Sequence, residues 1–420
     1  MITRIEAKGF RCLRYVRQDL GPFHVLVGPN ASGKTTFLDV IGFLGKMFTD
    51  GLDAAVTERT SNFKDLLWSR EGDSFELALE ASVPDVYRAQ LAKPFTKFRY
   101  EIRIGLDPIT QEMGILDEKA WLQQQPRAQV APLQRELFPM EPDVPASILT
   151  NRAVRSQRVL SKAHGGNDNF YVEVREAGGG KGWFPSIRLG PKKSALANLP
   201  EDDSKFPVAT WFKRMIMDGV QQFVLNSMRL RMPSPAHRGK GFSPDGSNLP
   251  WVIWNLEQPA NRERYGWWVD HVRTALPDIE SIRTVERPED RSRYLVIKYT
   301  GGLEVPSWMA SDGTLRLLAL TIPAYVPDFK GICLIEEPEN GIHPQAVETV
   351  FKSLSNVYGA QILLATHSPV ILSVADVEKV LCFKKTKSGA TDIVQGDKHP
   401  ALRDWRGGVN LGTLFAGGVL

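Results

Sequence analysis

Gly28-Pro29-Asn30-Ala31-Ser32-Gly33-Lys34-Thr35-Thr36 decides the reading of this 420-residue chain. It fits G-x-x-x-x-G-K-[ST], and that spacing has a physical cause. Glycines let a loop curl until its backbone N–H groups point inward at phosphate oxygens. The helix that follows adds the positive end of its dipole. In such a loop Lys34 reaches the β- and γ-phosphates and the Thr35 hydroxyl ligates Mg²⁺. Gly28, Asn30, Ala31, Ser32, Gly33, Lys34, Thr35 and Thr36 are therefore the candidate ATP-binding residues. The flanks agree: the apolar run Phe23-His24-Val25-Leu26-Val27 reads as a strand, and residues 36–48 read as an apolar helix.

Three further stretches carry chemistry. Ile332-Cys333-Leu334-Ile335-Glu336-Glu337-Pro338 reads as a buried strand of the parallel type that ends in two carboxylates. In P-loop sites the first carboxylate holds Mg²⁺ through water and the second polarises the attacking water, roles that fall to Glu336 and Glu337. Most such sites place Asp first; the longer side chain of Glu336 still reaches the outer shell of the metal. Ala365-Thr366-His367 closes another buried strand. The carboxyl ends of strands in an open α/β sheet face the ligand crevice, so His367 can hydrogen-bond the γ-phosphate or the attacking water. Ser311-Asp312-Gly313-Thr314 opens a helix with Ser311 as its N-cap. Alone it is a capping motif. Beside the other three it becomes a second phosphate-binding helix end, one that acts on a neighbouring subunit's ATP.

Strands are expected at 2–10, 23–28, 75–83, 98–104, 114–122, 293–299, 331–336 and 361–365. Helices are expected at 36–48, 204–222, 345–357 and from Ser311 to about 320. Strands alternating with helices around the glycine loop indicate a parallel sheet flanked by helices. The strand run after the first helix indicates an antiparallel subdomain beside it. The fold class expected is thus an α/β P-loop ATPase lobe, with residues 1–122 as its N-terminal half and 245–420 as its C-terminal half. Residues 123–244, rich in Pro, Gln, Arg and Gly, read as a helical and irregular insertion with turns at Gly178-Gly179-Gly180 and Pro191-Lys192-Lys193.

Composition sets outer bounds. Apolar residues make up 42% and charged residues 24%, the balance of a soluble globular protein. No stretch approaches the roughly 20 apolar residues of a membrane span, and the N-terminus lacks the layout of a signal peptide. Cys12, Cys333 and Cys382 are too few and too scattered for a disulfide framework or zinc site. A cytoplasmic location is expected. The net charge of +4 conceals an asymmetry: residues 151–245 hold 16 Lys and Arg against 8 Asp and Glu. A basic middle on a slightly acidic body suggests an anionic partner, nucleic acid or an acidic protein.

The four motifs, in this order, resemble the ABC-type ATPases of the SMC, RecF and OLD group. Gly28–Thr36 looks like Walker A, Ala310–Thr314 like the signature motif and Ile332–Glu337 like Walker B. Glu339–Pro344 is similar to the D-loop and His367 to the switch histidine. Phe10-Arg11 resembles the Phe-Arg pair on the first strand of RecF-like proteins, which adds Arg11 to the candidate nucleotide contacts. Asp245–Leu249 and Asn410–Leu414 resemble stretches of compact bacterial members. The resemblance covers about 1–90 and 245–400.

It implies ATP hydrolysis with Glu337, His367 and Lys34 as catalytic residues, ATP and Mg²⁺ as ligands, and Thr35 and Glu336 at the metal. It also implies that Ser311, Asp312 and Gly313 of a second copy cover the γ-phosphate. ATP then cements a homodimer or higher even-numbered assembly. Neither the long heptad arms of SMC proteins nor, with about 50 residues after His367, the Toprim nuclease of OLD proteins is expected here. The expectation is a sensor or regulatory ATPase of an anti-phage or anti-plasmid defence system, acting on a separate nuclease or toxin effector. The basic insert and the apolar tail (Leu411, Leu414, Phe415, Val419, Leu420) are candidate docking surfaces, the tail being alternatively a last strand. A RecF-like DNA-binding repair protein, with Lys192 and Lys193 on the DNA, is the second reading. An ATP-dependent scaffold dimer with slow turnover is the third.

Overall fold

The structure, a computed structural model, describes residues 1–91, 93–124, 135–151, 155–174, 186–236, 241–402 and 410–418. Gly178–Gly180, Val419 and Leu420 lie outside them. In chain order the strands are β1 Ile2–Phe10, β2 Leu13–Asp19, β3 Phe23–Val27, β4 Ser74–Ser82, β5 Lys97–Leu106, β6 Met113–Gln123, β7 Ser156–Ala163 and β8 Asn169–Phe170. They continue with β9 Val220–Phe223, β10 Ile279–Glu286, β11 Arg293–Tyr299, β12 Glu304–Pro306, β13 Gly331–Glu336, β14 Ala360–Ala365, β15 Val380–Lys385 and β16 Thr391–Gln395. The chain forms two compact units.

The first unit comprises Met1–Gly21, Gly28–Val220 and Leu381–Arg403. Its sheet is antiparallel in the order β2-β1-β4-β5-β6-β7-β8. The helix Lys34–Asp50 buries Phe37, Phe43 and Phe48. The Phe43 ring lies 5.8 Å from that of Phe10 and 5.7 Å from that of Phe75, so β1 and β4 are joined to the helix by aromatic packing. A hairpin of β15 and β16 completes the unit.

Among the described residues, three strands fall where sequence alone indicates only helix and loop, β9 at Val220–Phe223 being one of them. β7 and β8 lie within 123–244, and β7 extends the sheet by pairing with β6 from Asp117↔Ala163 to Gln123↔Ser156. Their composition hid them, because a short strand next to turns alternates weakly. The helix expected at 204–222 forms at Pro207–Met217. Phe206 gives it no side-chain cap. Glu173 supplies one from a distance, accepting hydrogen bonds from the Val208 N–H at 2.7 Å and the Ala209 N–H at 2.8 Å. The Glu173 carboxyl is fully buried, and burial pushes its pKa up to about 8.

A charged network crosses the same sheet. Arg99 donates to Glu6 at 2.8 Å and Glu80 at 3.0 Å, and pairs with Glu101; all four residues are buried. Glu76 and Glu101 each accept a backbone N–H from the covering segment, Ile148 and Thr150 respectively, at 2.7 Å. The carboxylates thus fasten that segment to the sheet.

The second unit comprises Pro22–Val27, Gln221–Val380 and Asp404–Leu420. Strands β3, β14 and β13 are parallel neighbours, and β9 adjoins β13. All five residues of β3 and all six of β14 are buried, as expected of strands covered on both faces. Helices Asp312–Thr321 and Pro344–Ser355 follow the expected pattern. Cys333 and, in the first unit, Cys382 are buried strand residues, their thiols pushed up to about 12 by burial.

A separate antiparallel sheet has the order β10-β11-β12, of which only β11 was legible in the sequence. The described part of the tail is not a last strand. It forms the helix Leu411–Ala416, capped by the Asn410 side chain on the Thr413 N–H at 2.8 Å. Gly412 sits so close to the Pro369 carbonyl that a Cβ there would approach to 2.1 Å, which forces a small residue at the contact. Among the described residues no helix is long and apolar enough to cross a membrane.

Candidate functional site

The residues singled out from sequence divide between the units. Arg11 and Gly28–Thr36 lie in the first, and Ser311–Gly313, Glu336, Glu337 and His367 in the second.

The loop begins at the residue after β3. Gly28 (φ 148°) and Gly33 (φ 105°) use backbone conformations that L side chains rarely adopt. Both also meet the β15–β16 hairpin. A Cβ on Gly28 would stand 2.2 Å from the Phe383 carbonyl oxygen, and one on Gly33 would stand 2.2 Å from Thr391 Oγ1. The two glycines of the motif therefore answer to close approach as well as to curl.

Helix Lys34–Asp50 starts at Gly33 with no side-chain cap, so its first turn is not closed by a neighbouring side chain. Lys34 Nζ donates to the carbonyls of Gly28 at 2.8 Å and Pro29 at 3.0 Å. The Ser32 hydroxyl is buried with no hydrogen-bond partner among the described residues. An uncapped helix start, a lysine on the loop's carbonyls and an unsatisfied hydroxyl are what a polyphosphate cradle provides. The Thr35 side chain is exposed at the first helical turn, as a hydroxyl ligand to a hard cation must be.

Arg11 stands in left-handed backbone (φ 52°), and its guanidinium meets Asp39 at 3.2 Å on the helix that Lys34 opens. Arg59 Nε grips the same carboxylate at 2.8 and 2.9 Å. The structure thus gives Arg11 a structural partner on that helix.

In the second unit the strand ends are stitched level. Leu26 aligns with Ala365, and Ala365 with Glu336. The Thr366 N–H then donates to the Leu26 carbonyl at 3.0 Å, and the Glu337 N–H to the Ala365 carbonyl at 2.8 Å. Glu337 is exposed and left-handed at φ 47°, a conformation uncommon for a residue with a side chain. Asn340 holds it there, its backbone N–H on the Glu337 carbonyl at 3.0 Å and its side-chain amide on Glu337 Oε2.

His367 is set by Glu339, which accepts from the His367 N–H at 2.9 Å and the Thr366 hydroxyl at 2.7 Å. The D-loop-like stretch therefore orients both the Glu337 and the His367 segments. The resemblance puts Glu339 and Asn340 in the D-loop-like stretch but does not give these bonds, which depend on the turn at 337–341.

Ser311 caps its helix as expected, accepting from the Thr314 N–H at 3.1 Å. Gly313 packs on the D-loop: a Cβ there would lie 2.8 Å from the Gly341 carbonyl. Arg231, also unremarked in the sequence, pairs with Asp312 at 2.6 Å and holds its carboxyl below the usual range through that hydrogen bond. Lys192 pairs with Asp53 at 3.0 Å, which offsets part of the charge read there as a DNA contact.

Residues 184–373 match the family described as "AAA domain, putative AbiEii toxin, Type IV TA system", and residues 1–80 match an AAA ATPase domain family. A 41-residue stretch is 49% identical to an OLD nuclease of Thermus scotoductus, covering 10% of this chain and 8% of that protein. The fold is similar to an Smc head bound to the C-winged helix domain of ScpA. That likeness covers 94% of this chain and 96% of the other at 16% identity, with a TM-score of 0.53. It is also similar to the Smc head domain with an extended coiled coil, bound to the C-terminal domain of ScpA derived from Pyrococcus furiosus. There the coverage is 94% and 95%, the identity 14% and the TM-score 0.50. Two AAA ATPase family models thus match at separate parts of the chain, and the fold is similar to that of an SMC head.

Proposed function

We propose that the chain binds ATP on Gly28–Thr36 and hydrolyses it, with Glu337 as general base and His367 and Lys34 on the phosphates. The observation that carries this is the left-handed Glu337 held by Asn340 at the end of a buried strand. Backbone strain of that kind persists where surrounding bonds over-determine it, and it gathers at functional sites. Thr35 and Glu336 would be the residues to hold a magnesium ion, which would neutralise phosphate charge when bound. Lys34 exchanges its bonds to the Gly28 and Pro29 carbonyls for bonds to the substrate. Asn340 and Glu339 keep Glu337 and the His367 segment aimed.

The reading extends to assembly. Ser311, Asp312 and Gly313 of a second copy close over the ATP, so nucleotide and dimer form together and release together. Arg231 supports this by neutralising Asp312 beside a helix start that would face an anion. A neighbour of the same fold carries a bound partner domain, and a short stretch resembles an OLD nuclease. Both favour a regulatory ATPase that works with a separate effector, of the kind defence systems use.

The test is molecular mass in solution with and without ATP and Mg²⁺. Wild type should double in mass with ATP. Lys34→Ala should stay monomeric and fail to bind ATP; Ser311→Arg should bind ATP and stay monomeric. A Ser311→Arg protein that dimerises like wild type would defeat the shared site.

A further inference from the structure

The geometry points to Thr391 as a positioning residue for the phosphate loop, a role that rests on the ATP-binding reading and that no motif of the sequence announces. Thr391 opens β16 and is buried. Its hydroxyl donates to the Ser32 carbonyl at 2.9 Å, and its side chain fills the space a Cβ of Gly33 would need.

The consequence follows from the peptide bond. The Ser32–Gly33 peptide is planar and trans, so the Ser32 carbonyl and the Gly33 N–H point in opposite directions. Drawing the carbonyl toward the hairpin turns the Gly33 N–H away from it, toward the other side of the loop. Without that tether, a peptide flanked by glycine can flip at little cost, because glycine at φ 105° has no side chain to resist. Thr391 thereby fixes the direction of one phosphate-facing donor before nucleotide arrives, and preorganisation of this kind appears as affinity.

Thr391 is itself held rigidly. Its N–H donates to the Cys12 carbonyl at 3.0 Å. Asp392, the next residue and so on the opposite face of the strand, accepts from Arg135 Nη1 at 2.6 and 2.8 Å and from the Met140 N–H at 2.8 Å. At the other glycine the hairpin presents the Phe383 carbonyl, and the Phe383 ring packs 5.5 Å from that of Phe37 on the helix behind the loop. The hairpin is therefore a floor under both glycines, and Thr391 holds the loop through a side-chain hydrogen bond.

The experiment compares Thr391→Val, which keeps the shape and removes the hydroxyl, with Thr391→Ser, which keeps the hydroxyl. Binding of ATP and ADP is titrated directly, and melting is followed without nucleotide. A lost hydrogen bond of ordinary strength should weaken both nucleotides about five- to tenfold in the valine variant. The serine variant should stay within about twofold and melt without nucleotide close to wild type, while the valine variant should lose no more stability than one hydrogen bond accounts for. If valine disturbs packing against Gly33 and the protein does not fold, Thr391→Ala is read the same way. Wild-type affinity in the hydroxyl-free variant, or equal losses for valine and serine, overturns the role of Thr391. Wild-type protein that binds ATP no better than Lys34→Ala overturns the ATP-binding reading itself, and this inference with it.

Discussion

Glu337 offers a test in which activity and stability should part company. Its backbone sits at φ 47°, a left-handed conformation that costs a residue with a Cβ roughly 1–2 kcal/mol. Replacing it with glycine removes that cost. The same change adds roughly 0.5–1 kcal/mol of chain entropy to the unfolded state. It also removes the exposed hydrogen bond from Asn340, about 0.5–1 kcal/mol. The three contributions nearly cancel, so Glu337→Gly should leave folding free energy within about 1 kcal/mol of wild type. Glu337→Gln keeps the side-chain oxygen and the strained backbone and should also fold normally. Both should lose turnover by about a hundredfold or more, the usual cost of a missing general base, while still binding ATP. Equilibrium denaturation and a phosphate-release assay read the two quantities separately. If glycine destabilises by more than about 2 kcal/mol, the backbone at 337 is not strained and the argument from strain to function fails. If glutamine turns over at the wild-type rate, Glu337 is not the base.

Two further predictions concern the buried charges of the first unit. Arg99→Met leaves Glu6, Glu80 and Glu101 buried without their shared cation, which should cost about 3–5 kcal/mol in denaturant unfolding; a loss under 1 kcal/mol would mean the network is dispensable. Glu173 should make stability fall as pH rises. Its carboxyl has a folded pKa of about 8 against an ordinary 4.5, so its contribution is fully present below about pH 4.5 and is lost as pH climbs to 8. Glu173→Gln should flatten that slope by at least about 1.4 kcal/mol, the equivalent of one pH unit, between pH 5 and 8.5. Identical slopes for the two proteins would show that Glu173 does not titrate there.

Much of this was legible before folding. Gly28–Thr36, the carboxylates at 336 and 337, His367 and the Ser311 cap are contiguous motifs, and local spacing alone places them on strand ends and helix starts. The buried parallel strands announced themselves as short unbroken apolar runs, because burial on both faces removes polar residues from the sequence. β7 and β8 did not, nor did β10, and the tail read as a docking surface or a last strand, not as a helix. Short elements whose polarity alternates weakly carry little local information, and what stabilises them is the neighbour they pair with.

The same limit governs the site. Arg11 could be matched to a familiar pair, but only the fold shows Asp39 and Arg59 around it. Thr391 lies 359 residues from the carbonyl it holds, and Arg231 lies 81 from Asp312. Sequence by itself nominated the groups proposed to perform the chemistry, because a phosphate cradle or a strand-end carboxylate is made by consecutive residues. Tertiary structure alone decided which groups aim them, because a hydrogen bond between distant segments depends on where the chain returns and leaves no periodic trace.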